Sequence, residues 1–144
     1  GKVFGAIQPS ILEYQGGKMQ ILCRSRQGVI TQSWSGDGGQ SWGPMTATKL
    51  PNPNAGTDAV TLMDGRQLLV YNHTTRGSQP SGREMLNVAV SNDGKEWNPI
   101  ITLERGKGEY SYPAVIQSCD EKVHITYTYL RRSIKHVVLD ASKL

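Results

Sequence analysis

Apolar residues along the chain fall into short runs bounded by Gly, Pro, Asn, Asp and Ser, and no run carries the three-to-four spacing of an amphipathic helix. Three runs can be stacked: GKMQILCR (Gly17–Arg24), GRQLLVYN (Gly65–Asn72) and EKVHITYT (Glu121–Thr128). Each is a turn residue, a basic residue and then an apolar-rich stretch suited to a buried strand. A second set follows, VITQSWS ending at Ser35, LNVAVS ending at Ser91 and IKHVVL ending at Leu139. A third set precedes the first: PSILEY from Pro9, DAVTLM from Asp58 and PAVIQS from Pro113. The first set is spaced 48 and then 56 residues, and the second 56 and then 48.

The repeated unit is therefore strand A, tight turn, strand B, loop, strand C, tight turn, strand D. Strand D is PMTATKL in the first copy and NPIITLE in the second, and the third copy stops after strand C at DASKL. Four strands recurring about every 50 residues predict an all-β fold of propeller blades. The blades cover approximately residues 5–50, 51–104 and 105–144 of one segment, 1–144. A compact β-sandwich of about eleven strands is the alternative. Three blades cannot close a ring, so the propeller reading expects the remaining blades elsewhere, in a missing N-terminal part or another chain. By itself the segment is expected to be inactive and prone to associate through its unpaired apolar faces.

The 144 residues are 37% hydrophobic and 19% charged, an ordinary balance for a globular domain. No apolar run reaches the length of a membrane span, and GKVFGAIQPS at the start is not a signal peptide. Cys23, in a strand-like run, and Cys119, in the turn-like SCDEK, suggest neither a disulfide framework nor a metal site, and no cofactor is expected. The net charge of +4 matters only through where it lies.

Antiparallel strands sort the connections onto two rims. The A–B and C–D turns share one rim, and the B–C and D–A loops share the other. Seven of the eight arginines fall in the second set: Arg24, Arg26, Arg76, Arg83, Arg105, Arg131 and Arg132, leaving Arg66 opposite. Lysines are scattered. Arginine offers a planar fork that grips carboxylate, sulfate or phosphate at two points, so this rim points to an acidic ligand. No basic helix or aromatic stacking strip accompanies it, which argues against nucleic acid.

SGDGGQSW (Ser35–Trp42) and the shorter SNDGKEW (Ser91–Trp97) close the C–D hairpins of the first two units. Ser and Asp can accept backbone N–H bonds there, Gly supplies positive φ, and the Trp can pack back between sheet layers. Ser35, Asp37, Gly39, Ser41 and Trp42 resemble the Asp-box of the sialidase (neuraminidase) superfamily, as do Asp93 and Trp97 in the second copy. The resemblance covers nearly the whole chain, and RSRQGVITQSWSGDGGQSW, PNPNAGTDAV and YSYPAVIQ are similar to predicted neuraminidases of the Asp-box (BNR) repeat class. It implies a sialidase-type propeller, six-bladed when complete, with the Asp-boxes structural and on the face away from the active site. It further implies that Arg24 and Arg83, the latter in REMLNVAVS, are triad arginines for a carboxylate, and that Tyr110 in EYSYPAVI is the nucleophile. Gln8 stands where sialidases carry the Glu that takes the nucleophile's proton, and an amide cannot do this. The first triad arginine and the acid/base Asp would lie in blades outside this chain.

A tyrosine nucleophile suits an anionic anomeric centre, because an incoming carboxylate would be repelled. With Gln8 in place of the base, His73 at a strand end is the candidate general base. Arg26, Asp58, Glu109 and Tyr112 are candidates to bind sugar carboxylate and hydroxyls. The leading reading is a sialidase-like glycoside hydrolase acting on acidic glycans, periplasmic or extracellular because such substrates lie outside the cell. Alternatives are a uronate-specific polysaccharide lyase on the same propeller and a non-catalytic glycan-binding propeller.

Overall fold

A computed structural model describes residues 2–144. Eleven strands lie among them: β1 (Ile7–Glu13), β2 (Met19–Arg24), β3 (Val29–Ser35), β4 (Thr46–Pro51), β5 (Asp58–Thr61), β6 (Gln67–Tyr71), β7 (Met85–Ser91), β8 (Asn98–Arg105), β9 (Tyr110–Gln117), β10 (Lys122–Tyr129) and β11 (Ser133–Asp140). Every pairing joins strands consecutive in sequence and is antiparallel. The sheets are β1–β4, β5–β8 and β9–β11: three meanders, hence three blades, the third lacking its outer strand. A sandwich would divide these strands between two sheets, so that alternative is set aside.

Period-two alternation decides which blade each side chain meets. In β6 all five residues are buried. Leu68 and Val70 join a core with Leu86, Val88, Val115, Val123, Ile125 and Tyr127 between blades two and three. Leu69 and Tyr71 point the other way, into a core with Leu12, Leu22, Ile30, Leu50 and Ala89 between blades one and two. Blade two is thus covered on both faces. The end blades are not: Ile7 and Ile11 on blade one, and Ile116, Ile134 and Val138 on blade three, are exposed, Ile134 to 79%.

Asp58 ties the inner strands together. One carboxylate oxygen accepts from Ser10 Oγ of β1 at 2.9 Å and the other from the Val115 amide of β9 at 2.8 Å. On the far rim Arg66 donates to the carbonyls of Leu144 and Ala141, fixing the C-terminal turn against blade two.

The two Ser-Asp-Gly turns share a hydrogen-bond scheme and differ in what lies behind them. In the first, Ser35 Oγ accepts from the Gly39 amide, Asp37 accepts from the Ser41 amide, and Trp42 Nε1 donates to the Gly39 carbonyl. In the second, Ser91 Oγ accepts from the Gly94 amide, Asp93 from the Lys95 and Glu96 amides, and Trp97 Nε1 donates to the Gly94 carbonyl. Trp97 packs against the core between blades one and two, while Gln20 of blade one donates to the Gly94 carbonyl at 2.8 Å. Trp42, expected to pack between layers, is 38% exposed. By the repeat it faces away from blade two, where no sheet lies among the described residues.

Gly94 (φ +73°) marks a close approach between blades: a Cβ there would meet Tyr14 Oη at 1.9 Å and Trp34 at 2.8 Å. At its counterpart Gly39 (φ +86°) a Cβ meets only the Met19 sulfur, at 3.3 Å, and Trp42. Gly39→Ala is therefore expected to cost about 1 kcal/mol, the left-handed backbone penalty. Gly94→Ala adds an overpacking cost of about 3 kcal/mol. Denaturant midpoints of the two variants check this, and equal losses would mean that the second turn does not join the blades.

Candidate active site

The site forms where β1 and β9 begin, and the same backbone device shapes both. The β1–β2 register slips between Ile7 and Ser10, and the β9–β10 register slips between Thr126 and Thr128. Each irregularity carries an X-Pro pair with X at positive φ: Gln8 at +55° before Pro9, and Tyr112 at +51° before Pro113. Bulges of this kind re-aim a side chain out of the strand's alternation. Gly56 lies between the two side chains, and a Cβ there would stand 3.3 Å from both Gln8 Oε1 and Tyr112 Cδ1. Glycine at this place lets the amide and the phenol approach.

Two guanidinium groups reach the phenol. Arg83 Nη2 donates to Tyr112 Oη at 3.4 Å, and its Cζ lies 4.8 Å from the ring centroid. The Arg83 bond and charge, with a smaller contribution from Arg24, hold the phenol below its ordinary pKa against the opposing effect of desolvation. Arg24 ends β2, and its buried Nε has no hydrogen-bond partner and no carboxylate partner among the described residues. Arg83 is shared: its Nη1 pairs with Glu109 at 2.6 Å. Glu109 also accepts from Ser111 Oγ at 2.7 Å and pairs with Arg131. Desolvation would raise its pKa, but the bonds from Arg131, Ser111 and Arg83 outweigh this and bring it to about 2.

The other candidates lie elsewhere. Tyr110 is 6% exposed, packs in the core between blades two and three beside Tyr129, and has its pKa raised by burial. Its phenol lies in that core, whereas Tyr112, two residues along, is 48% exposed and carries the contact with Arg83. Both Asp58 oxygens accept within the fold, Oδ1 from Ser10 and the Ala59 amide and Oδ2 from the Val115 amide. His73 hydrogen-bonds through Nδ1 to the buried Tyr71 hydroxyl, and burial lowers its pKa. No hydrogen bond joins it to Gln8, Arg24, Arg83 or Tyr112 among the described residues. Arg26 is exposed on the loop after Arg24 and lines a separate small cavity. On the opposite rim, Asp37 is held at about 2, chiefly by the Ser41 hydroxyl, and Asp93 is lowered by the turn amides. Both are acceptors for their own turns.

Gly56 and the buried Asn72 were not singled out by sequence. Asn72 Nδ2 donates to the carbonyls of Met85 and Tyr110, joining the strand ends beneath the site. The repeated X-Pro pair, Gln8-Pro9 and Tyr112-Pro113, was the sequence signal that these two residues hold equivalent places in their blades. No group of three or more His, Cys, Asp or Glu suited to a metal occurs among the described residues, and no helix there is long and apolar enough to cross a membrane.

The BNR repeat-like domain model matches residues 2–125. The chain belongs to that family. Among curated proteins no sequence matches it. Solved structures resemble it in fold: NanB sialidase of Streptococcus pneumoniae superposes with a TM-score of 0.78 at 16% identity, over 96% of this chain and 24% of that one. The intramolecular trans-sialidase of Ruminococcus gnavus gives 0.76 at 19% identity, over 96% and 33%. An α-L-arabinofuranosidase, Arb93A of Fusarium graminearum, gives 0.68 at 14% identity, over 98% and 48%. The three blades are thus part of a sialidase-type β-propeller, and the chain spans a quarter to a half of these similar structures.

The Glu109 cluster makes a pH-dependent contribution to stability. Its folded pKa of about 2 lies below the ordinary 4.5, so the contribution is complete above 4.5 and is lost as pH falls through 2. The stability gap between wild type and Glu109→Gln is expected to narrow over that window in urea melts. A gap that stays constant to pH 2 would show that Glu109 is not held by its cations.

Proposed function

We propose that the complete propeller is a sialidase-like glycoside hydrolase for acidic sugars, with Tyr112 as nucleophile. One observation carries this reading: the Tyr112 phenol sits against Arg83 and Arg24, which lower its pKa, and beside Gln8. Arg24, without a carboxylate partner, and Arg83 bind the substrate carboxylate. Gln8 orients the phenol or a sugar hydroxyl by hydrogen bonding but takes no proton. The two cations lower the phenol's pKa, and in place of a neighbouring base solvent water takes its proton as the oxygen attacks. The phenolate oxygen attacks the anomeric carbon and the glycosidic C–O bond breaks. The leaving oxygen takes a proton from an acid in another blade, and water then releases the sugar from Tyr112. Glu109 positions Arg83. The similar structures belong to glycoside hydrolases, which supports the class but not the sugar. An acidic glycan substrate places the protein outside the cytoplasm, and the blades needed to complete the ring number three if it is six-bladed.

The absence of a carboxylate at position 8 favours a second reading. A phenolate stabilised by cations, with no base beside it, can also remove the C5 proton of a uronate whose carboxylate the arginines neutralise. Elimination then expels the C4 substituent and leaves a C4–C5 double bond.

A screen of the full-length protein on sialylated and uronate-containing oligosaccharides separates these readings. Hydrolysis releases reducing ends without a chromophore, elimination adds near-ultraviolet absorbance, and binding without product marks a lectin. On the best substrate Tyr112→Phe is expected to lower kcat by about a thousandfold or more, as loss of a nucleophile does. Tyr110→Phe and His73→Ala are expected to keep kcat within about tenfold. Full activity in Tyr112→Phe would overturn the nucleophile assignment and the phenolate-base reading together.

A further inference from the structure

Beside the candidate cleft, at the seam of blades one and two, lies a cavity of about 140 Å³ lined by Arg26, Gly28, Asn52, Pro53, Asn54, Thr75 and Arg76. Its floor is built rigidly. Asn52 is fully buried; its side chain caps both the amide and the carbonyl of Ala55, and its own amide donates to the Gly28 carbonyl. Arg26 is placed as firmly: its amide bonds the Phe4 carbonyl, and its aliphatic stem lies on Gly5 (φ +56°), where a Cβ would come within 3.0 Å.

Three properties of the lining point to one kind of occupant. Arg26 and Arg76 come from different blades, and neither has an acidic partner among the described residues, whereas Arg66, Arg83 and Arg131 are all paired. No Asp or Glu lines the cavity. Asn54 Oδ1 is buried with no hydrogen-bond partner, an acceptor that costs free energy until a donor reaches it. An oxyanion satisfies the guanidiniums and a hydroxyl satisfies the amide, and an acidic sugar unit brings both. The volume, about five water molecules, admits a carboxylate or sulfate and one ring edge.

The cavity adjoins the cleft through two short stretches of chain. Arg26 is two residues beyond Arg24, and Asn54 is two before Gly56. Two residues of chain span at most roughly 7 Å between Cα atoms, the scale of one sugar unit. We infer that this cavity is a second anion subsite, which takes an oxyanion-bearing sugar next to the one held by Arg24 and Arg83. The inference rests on the proposed function and narrows it: the substrate is a glycan with acidic groups on adjacent units.

The test reads binding, so its result does not depend on turnover. Full-length Tyr112→Phe protein is titrated calorimetrically, at fixed salt, with three oligosaccharides sharing one terminal acidic sugar, the neighbouring unit being neutral, a uronate or a sulfate ester. Adding Arg76→Ala is expected to weaken binding of at least one doubly acidic ligand roughly tenfold or more, as loss of a charge-assisted bond does, and to change the neutral-neighbour ligand less than about twofold. Which doubly acidic ligand loses more identifies the anion. Asn54→Gly, which keeps the positive φ, is expected to weaken the same ligand. Lys95→Ala on the opposite rim removes the same charge and controls for general attraction. Equal losses on all three ligands, no loss on either doubly acidic ligand, or a matching loss in Lys95→Ala would overturn the subsite. Failure of the catalytic reading would appear separately, as no turnover by wild type on any of the three.

Discussion

One carboxylate, that of Asp58, holds the inner strands of three blades in register. It bonds Ser10 in the first and Val115 in the third from the start of the second. Inner strands in a propeller do not pair with each other, so their relative height is not set by ladder hydrogen bonds. A half-buried carboxylate that accepts from both neighbours supplies that missing constraint. The site residues are offsets from its bonds: Gln8 lies two residues before Ser10, Gly56 two before Asp58, and Tyr112 three before Val115. A shift of one strand against the next would separate the amide from the phenol.

Packing between blades supplies the energy that this registration directs. The strands of blade two present apolar residues on both faces, so Leu68–Tyr71 of its β6 reads as an unbroken apolar run, while β11, in an end blade with no further blade against it among the described residues, exposes Ile134 and Val138. The Ser-Asp-Gly turn of blade two acts at the same seam: Gly94 has no side chain because Tyr14, Gln20 and Trp34 of blade one occupy that space. Where the identical turn scheme faces open surface, at Gly39, the constraint disappears and the tryptophan is left part-exposed. The hydrogen bonds within the turn are local. Its contribution to the fold depends on having a neighbour.

The propeller-type meanders and their strand order were legible because they rest on periodicity and on the direction of antiparallel strands, which the sequence carries openly. The separate surroundings of Tyr110 and Tyr112 were not. Residues two apart in a strand ordinarily share a face, so alternation alone gives both the same address. The bulge at Tyr112 breaks that rule, sending Tyr110 into the core and Tyr112 to the arginines. Asp58 was illegible for another reason: a carboxylate at a rim suggests a ligand until its two partners, 48 and 57 residues away, are known. Nor does the sequence show that the Nδ1 of His73 bonds the buried Tyr71 hydroxyl.

The exchange of a carboxylate for Gln8 makes electrostatic sense in this surrounding. A Glu beside Tyr112 would share Arg24 and Arg83 with the phenol and the incoming acid, and Glu109 already draws on Arg83. With a neutral amide at position 8, the unpartnered charge of Arg24 remains available both to lower the phenol's pKa and to receive an anion. These two uses compete once a substrate carboxylate arrives, because the bound anion offsets the cation that favoured the phenolate. A cleft arranged this way gains from further positive charge just outside it, where an anion can be held without drawing on Arg24. Arg26 and Arg76 line a cavity that fits this description, and neither touches Tyr112.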